Sequence, residues 1–223
     1  MVNSSERKQA LVGWFINNTD FYDDVQLQKF LFFYECFSKI NGDTYELEGL
    51  KGYKTGPVFS SVLDDIKCGQ DFKNTCTEKL PHLSGLVNTQ RAKLSKFLVM
   101  TLGNKLLDFI DYLNIWAVKR YKIERGIPYT LLDEADFDKR DASIFRDIEY
   151  AYPESFIDTV DVRIINGKAF VTLKTDVDRL TDKVFDVLTE ESYDSSFDIP
   201  VHVYFSESGG LLLDCPYSIF CEL

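Results

Sequence analysis

A helical segment that is apolar around almost its whole circumference constrains this chain more than any other stretch. Its apolar side chains recur at helical spacing and then widen the stripe nearly to full circumference: Val25, Leu27, Phe30, Leu31, Phe32, Phe33, Tyr34, Cys36 and Phe37. Such a helix has to be buried, so the rest of the chain has to enclose it. Asp23 or Asp24 suits its start, with Gln26 placed to complete a capping box with Asp23, and Asn41-Gly42 suits its end, which predicts a helix over residues 24–41.

A glycine-rich stretch follows this helix. Residues 45–48 alternate as a short, half-exposed strand would, and residues 50–57 (LKGYKTGP) read as a turn-rich bend. Pro57 suits the first position of a further helix, whose apolar face is formed by Phe59, Val62, Leu63 and Ile66. The sequence therefore predicts a short strand, a bend and a second helix after the buried one.

Three motifs in this region together resemble the Panacea domain, the SocA-like antitoxin domain that also occurs in phage-associated proteins. They are Leu27-Gln28-Lys29, Phe32-Phe33-Tyr34 and Tyr53-Lys54-Thr55-Gly56-Pro57-Val58. The resemblance is close over residues 24–67 and loose to about residue 125. The family usually has Trp where Tyr53 stands and an aromatic residue where Thr55 stands, so the chain resembles a divergent member.

The resemblance implies a cytoplasmic, non-enzymatic antitoxin that neutralises a protein toxin encoded nearby by direct binding. It leaves open whether such a protein also presents its toxin to a protease. Tyr53, Lys54, Gly56 and Pro57 are predicted to contact the partner, because an aromatic ring and a lysine on a rigid bend make a suitable protein-contact anchor. A bend with no role beyond turning the chain stays an equal alternative, since glycine and proline suit turns.

The charge balance bears on the class of partner. The net charge is −11, which disfavours non-specific binding to nucleic acid or to an anionic membrane. An acidic antitoxin would be steered towards a basic toxin, although many acidic proteins have no such partner.

One basic cluster interrupts this acidic chain, namely Lys119, Arg120, Lys122 and Arg125. It suggests a nucleic-acid-binding regulator as an alternative function. Four cations before Gly126 also suit the C-terminus of a helix, where they interact favourably with the helix dipole. An unrecognised hydrolase is a further alternative.

No motif for a cofactor, a metal or a catalytic residue emerges from the sequence. The five cysteines show no CxxC spacing, and the two histidines stand far from any cysteine pair, so we predict reduced thiols and no metal site. Neither a P-loop nor a dinucleotide-binding motif is present. No apolar run approaches the roughly 20 residues that a membrane helix needs, and the start lacks the features of a signal peptide.

The remaining pattern predicts an α+β protein with a mainly helical N-terminal domain over residues 1–152 and a small module over 153–223. In the first part we expect a helix ending at Asn17-Asn18, a loop over 68–87 and one bent helix or two over 90–116, broken at Gly103-Asn104. A further helix, capped by Asp136 or Asp138, should end before Pro153.

The C-terminal module is predicted to have the order ββαββ. Residues 160–164 and 170–173 alternate as strands around Asn166-Gly167, a strong signal for a two-residue hairpin. A helix over 176–190 and strands over 199–205 and 211–213 follow, and the helix is expected to cover one face of the sheet. Residues 216–223 are apolar enough to dock.

Overall fold

The computed structural model describes residues 2–20, 22–69, 71–194 and 200–214. Short 3₁₀ turns connect several of its elements, and the predicted docking of residues 216–223 lies outside the described residues. The chain is mainly helical with two small sheets, which confirms the predicted α+β class. In chain order the elements are α1 (Glu6–Asn17), α2 (Asp24–Ile40), β1 (Leu50–Tyr53), β2 (Gly56–Phe59), α3 (Ser60–Cys68), α4 (Phe72–Leu83), α5 (Thr89–Leu102), α6 (Leu106–Tyr112), α7 (Asn114–Glu124), β3 (Thr130–Leu131), α8 (Lys139–Ala151), α9 (Glu154–Ile157), β4 (Val160–Ile165), β5 (Lys168–Leu173), α10 (Asp182–Glu191), β6 (Val201–Phe205) and β7 (Leu211–Asp214).

The chain divides into two compact units, each assembled from two separate segments. The first unit comprises Met1–Lys96 and Ile110–Arg146, and the second comprises Phe97–Phe109 and Asp147–Leu223. A division into independently folding domains at residue 152 stays a prediction.

Helix α2 lies in the core of the first unit, as its composition predicted. Every residue from Leu27 to Ser38 is buried. Phe33 and Phe37 contact the ring of Phe145, with centroid distances of 5.9 and 5.0 Å. The predicted capping box between Asp23 and the N3 residue is present, and the helix ends next to a glycine in the left-handed region.

The segment after α2 differs from its prediction. Residues 45–48 form no strand, and the presumed bend is an antiparallel hairpin in which β1 pairs with β2, while β3 adds to the other side of β1. The expectation that Pro57 begins a helix is wrong, because Pro57 lies in β2 opposite Gly52 and α3 begins at Ser60. A proline is tolerated there because β2 is an edge strand of the order β2-β1-β3.

The predicted loop over 68–87 is also wrong, because its centre is helix α4. Phe72 and Cys76 lie one helical turn apart and are both buried. Gly13 of α1 approaches this helix so closely that a Cβ atom on it would lie 2.4 Å from the Cys76 carbonyl oxygen. Helix α4 therefore packs on α1 through close backbone contact at Gly13, and this packing does not need a continuous apolar stripe in the sequence.

Over residues 90–116 the chain forms two helices, α5 and α6, separated at Gly103–Lys105, and α7 begins at Asn114. The break at Gly103 is confirmed, since its φ is 48°. Helix α7 begins separately, and the buried Asp141 carboxylate accepts the N–H groups of Asn114 and Ile115 at 2.6 and 2.9 Å. Helix α8 is capped by Asp138 and ends before Pro153, both as predicted.

The second unit contains the predicted ββαββ arrangement. Strands β4 and β5 are joined by Asn166-Gly167, both with positive φ, and the sheet order is β4-β5-β6-β7 with β5 parallel to β6. Residues on α10 pack against one face of the sheet, as expected, although this helix begins at Asp182 because residues 174–179 form a 3₁₀ turn. The packed cluster contains Leu180, Val184, Leu188, Phe170, Val201 and Val203.

Candidate partner-binding surface

Two side chains of α2 close the outer edge of β2. Gln28 accepts the Phe59 N–H with its Oε1 at 2.9 Å and donates from Nε2 to the Phe59 carbonyl at 3.5 Å. Lys29 Nζ donates to the Pro57 carbonyl at 2.7 Å. Pro57 has no N–H, so these bonds satisfy the outward polar groups of both strand residues. The side chain of Gln28 therefore takes the place of a neighbouring strand.

Lys29 is buried beneath the hairpin. Its side chain has no solvent exposure, and burial lowers the pKa of the ammonium group to about 7, although the charge of Asp23 opposes this shift. Gly56 lies close by with a φ of 83°, and a Cβ atom on it would lie 3.5 Å from Lys29 Nζ and 2.6 Å from the Ile110 Cγ2 atom. Both the backbone conformation and the lack of space require glycine at this position.

A buried ion cluster fixes the segment that leads into the hairpin. Glu35 has no exposure and forms ion pairs with Arg7 and Lys8. Its carboxylate also accepts the backbone N–H of Glu46 at 2.9 Å, and Lys8 donates to the Glu46 carbonyl at 3.0 Å. Burial lowers the pKa of Lys8, an effect that the Glu35 carboxylate opposes. The carboxylate thereby joins α1, α2 and the chain before β1.

The outer side of the three-stranded sheet carries four side chains that we call the aromatic face: Lys51, Tyr53, Tyr129 and Leu131. The rings of Tyr53 and Tyr129 lie 5.7 Å apart, and Lys51 Nζ lies 4.8 Å from the centroid of the Tyr129 ring. Tyr129 is 47% exposed and Leu131 is 63% exposed. The inner side of β1 packs on α7, where a Cβ atom on Gly52 would lie 2.4 Å from the Trp116 ring. The sheet thus has a packed inner side and an outer side that is exposed at Tyr129 and Leu131 but buried at β2.

The four residues predicted to bind a partner fall into two pairs. Gly56 and Pro57 are buried and hold the hairpin, whereas Lys54 is exposed and Tyr53 is partly exposed. The pKa of Tyr53 is raised by burial and by the nearby Asp64 and Tyr129, so its hydroxyl stays protonated at neutral pH. Tyr53 and Lys54 are therefore the two members of this set that can contact another molecule directly.

Half of the basic cluster at the end of α7 forms ion pairs within the protein. Lys119 forms an ion pair with Asp136, and Arg120 lies 2.7 Å from Asp111 and 2.9 Å from Glu124. The guanidinium of Arg125 lies 5.4 Å from the centroid of the Tyr121 ring, and Lys122 is in the last turn of the helix. Two of the four cations are thus paired with carboxylates, which reduces the positive charge available to a phosphate backbone.

A metal site and a membrane span receive no support from the residues that the structure describes. Over residues 2–20, 22–69, 71–194 and 200–214, no three histidine, cysteine or carboxylate side chains are grouped so that they could hold a metal ion. Within these same ranges, no helix is both long enough and apolar enough to cross a bilayer.

Sequence reasoning missed two parts of this surface. It did not include β3, which supplies Tyr129 and Leu131, although Tyr129-Thr130-Leu131 is a β-prone run directly after Pro128. It also assigned no role to Lys29 or Glu35, although charged residues within a helix that must be buried need internal partners. That second signal was present in the sequence.

The comparisons with known proteins yield no relatives. No family model, no curated protein and no solved structure matches this chain. The resemblance to the Panacea domain therefore stays a prediction.

Proposed function

We propose that this chain is a non-enzymatic, antitoxin-like protein that neutralises a cognate protein toxin by direct binding through the aromatic face and Lys54. One observation carries this proposal: a hairpin that Gln28 and Lys29 fix from its buried side presents aromatic and cationic side chains to solvent. Tyr129 already contacts both Tyr53 and Lys51 in the free protein. Less conformational entropy is therefore lost when a partner covers them.

The motifs behind the Panacea resemblance agree with this proposal at the level of single residues. Gln28 and Lys29 of the first motif bond directly to the backbone of Pro57 and Phe59 beside the third motif. They support the strand that follows Tyr53 and Lys54. The motifs would then belong together because buried Gln28 and Lys29 hold the hairpin that presents Tyr53 and Lys54 to a partner.

Co-expression with the small toxin that the proposal expects to be encoded beside this chain tests the proposal. Replacing Tyr53 and Lys54 together by alanine should leave the fold intact, since neither residue is fully buried, and should abolish rescue of cells from the toxin. Tyr150→Ala is the matched control, because Tyr150 is 90% exposed and belongs to the second unit rather than to the unit that carries the aromatic face. The control should rescue as the wild type does.

Two results would count against the proposal. One is a folded Tyr53→Ala/Lys54→Ala variant that still protects cells fully, and the other is a wild-type chain that protects without forming a complex with the toxin. Size-exclusion chromatography of the co-expressed pair measures the complex. If the protein also presents its toxin to a host protease, rescue should depend on that protease. Rescue in protease-deficient cells measures this dependence.

A further inference from the structure

The three-stranded sheet of the first unit has two edges, and they differ in one respect. At the β2 edge, Gln28 and Lys29 bond the outward groups of Pro57 and Phe59. At the β3 edge, no residue that the structure describes bonds the outward groups of Leu131 in this way. One edge is therefore closed from within the protein, and the other is available for pairing.

The register shows which groups the β3 edge offers. Leu132 N–H donates to the Leu50 carbonyl at 3.0 Å, and Lys51 lies opposite Leu131. Antiparallel strands alternate between hydrogen-bonded and non-hydrogen-bonded pairs, so the Leu131 N–H and C=O point away from β1. Neither group has a hydrogen-bond partner among the residues that the structure describes.

The side chains at this edge do not block pairing. Natural edge strands are protected by lysines, prolines, bulges or short length. Residues 129–131 contain no lysine or proline, although Pro128 limits the edge at one end and the two-residue length of β3 restricts pairing to Leu131. Leu131 and Tyr129 are both exposed and project on the outer side of the sheet. An added strand would cover the two apolar side chains while bonding the Leu131 backbone.

We propose that the β3 edge accepts an extended segment of the partner protein as a fourth strand of this sheet. Such a segment would carry apolar side chains at alternate positions, to meet Tyr129 and Leu131, and a carboxylate, to meet Lys51 or Lys54. The carboxylate follows from charge complementarity, because both lysines belong to the same hairpin and Lys51 lies 4.8 Å from the centroid of the Tyr129 ring. This inference deepens the proposed function by naming how the partner engages the same side of the sheet.

The test uses a displayed library of random dodecapeptides selected on the wild-type protein, so it does not depend on any toxin. The enriched peptides should alternate apolar residues with others and include an acidic residue. A synthetic peptide of the enriched sequence should bind Leu131→Pro about tenfold or more weakly than the wild type, since proline removes the outward donor and adds a ring at the edge. Leu131→Val keeps the donor and should bind as the wild type does.

Hydrogen exchange on the wild-type protein provides a second measurement that needs no variant. The Leu131 amide should exchange rapidly in the free protein and at least tenfold more slowly with the peptide bound. Unchanged exchange at Leu131, or equal affinity of folded Leu131→Pro and wild type, would overturn the proposal. The proposal would also be overturned if the Leu131 amide were protected from exchange without peptide and light scattering showed a dimer. The edge would then pair with a second copy of this chain. The peptide experiment uses no toxin, so a failure of toxin rescue would contradict the proposed function without contradicting peptide binding at the β3 edge.

Discussion

Lys29 gives the sharpest quantitative prediction, because it is a fully buried lysine whose charge must be accommodated inside the first unit. Its pKa is lowered from 10.5 to about 7, mainly by burial. Between these two values the unfolded chain binds a proton that the folded chain releases. The free energy of unfolding therefore rises with pH in this window, at a limiting slope of about 1.4 kcal/mol per pH unit.

The expected size follows from the two pKa values. Below pH 7 both states hold the proton, so the full cost of burying the ammonium is present. From pH 7 to pH 8.5 the folded state becomes progressively neutral, which adds about 1.5 kcal/mol to the free energy of unfolding. The thiol of Cys76, whose pKa is raised to about 12 by burial, acts in the opposite direction above pH 9, so the window ends before that effect begins.

Urea unfolding of the wild type and of Lys29→Met across this window measures the effect. Methionine cannot titrate, so subtracting its profile removes all other pH-dependent groups, and the difference should change by about 1.5 kcal/mol. Lys54→Met, which removes an exposed lysine of the same hairpin, is the matched control. Parallel profiles for the wild type and Lys29→Met would refute the reasoning and would mean that water reaches the ammonium group in the folded state.

Three further substitutions test the packing of the first unit by thermal or urea unfolding. Phe33→Ala should lower the free energy of unfolding by about 3–5 kcal/mol, as large core truncations do, and a loss under about 1 kcal/mol would contradict its place in the core. Glu35→Gln should cost about 3–5 kcal/mol because it removes the buried carboxylate that pairs with both Arg7 and Lys8, and a near-neutral result would show that water or Glu46 compensates these cations. Gly13→Ala should cost about 1–3 kcal/mol because the added Cβ atom clashes with the Cys76 carbonyl. Gly85→Ala is the control, since a Cβ atom there meets nothing within 4 Å, and it should change the free energy of unfolding little. Equal effects of the two substitutions would argue against the close helix contact.

Local sequence signals predicted those elements whose stability is encoded locally. Helix α2 carries its own capping box and a nearly continuous apolar surface, and both are present in the structure. Asn166-Gly167 adopts positive φ at both residues, as a two-residue hairpin requires. In these cases the turn chemistry and the hydrophobic pattern specify the same structure, so the sequence alone was sufficient.

The hairpin of β1 and β2 could not be predicted in this way, because its partners are distant in sequence. Gly52 and Pro57 usually indicate a turn, and neither favours a strand by itself. They adopt extended structure because the Trp116 ring packs on one and the Lys29 ammonium bonds the carbonyl of the other. The exposed site was predicted in part, through Tyr53 and Lys54, but the strand that completes it comes about 75 residues later in the sequence.

The construction of the second unit from two segments has a consequence for how the chain emerges from the ribosome. Phe97–Phe109 is synthesised well before Asp147–Leu223, with which it forms one unit. Phe97 contacts the rings of Tyr152 and Phe156, and the Asn104 N–H donates to the Gly167 carbonyl. At about 5–20 residues per second, this segment waits roughly 3–12 s until the last of these partners, Gly167, has been made. During that interval its apolar side chains lack their native partners, so nascent chains stalled within this window should bind chaperones more strongly than the completed chain does.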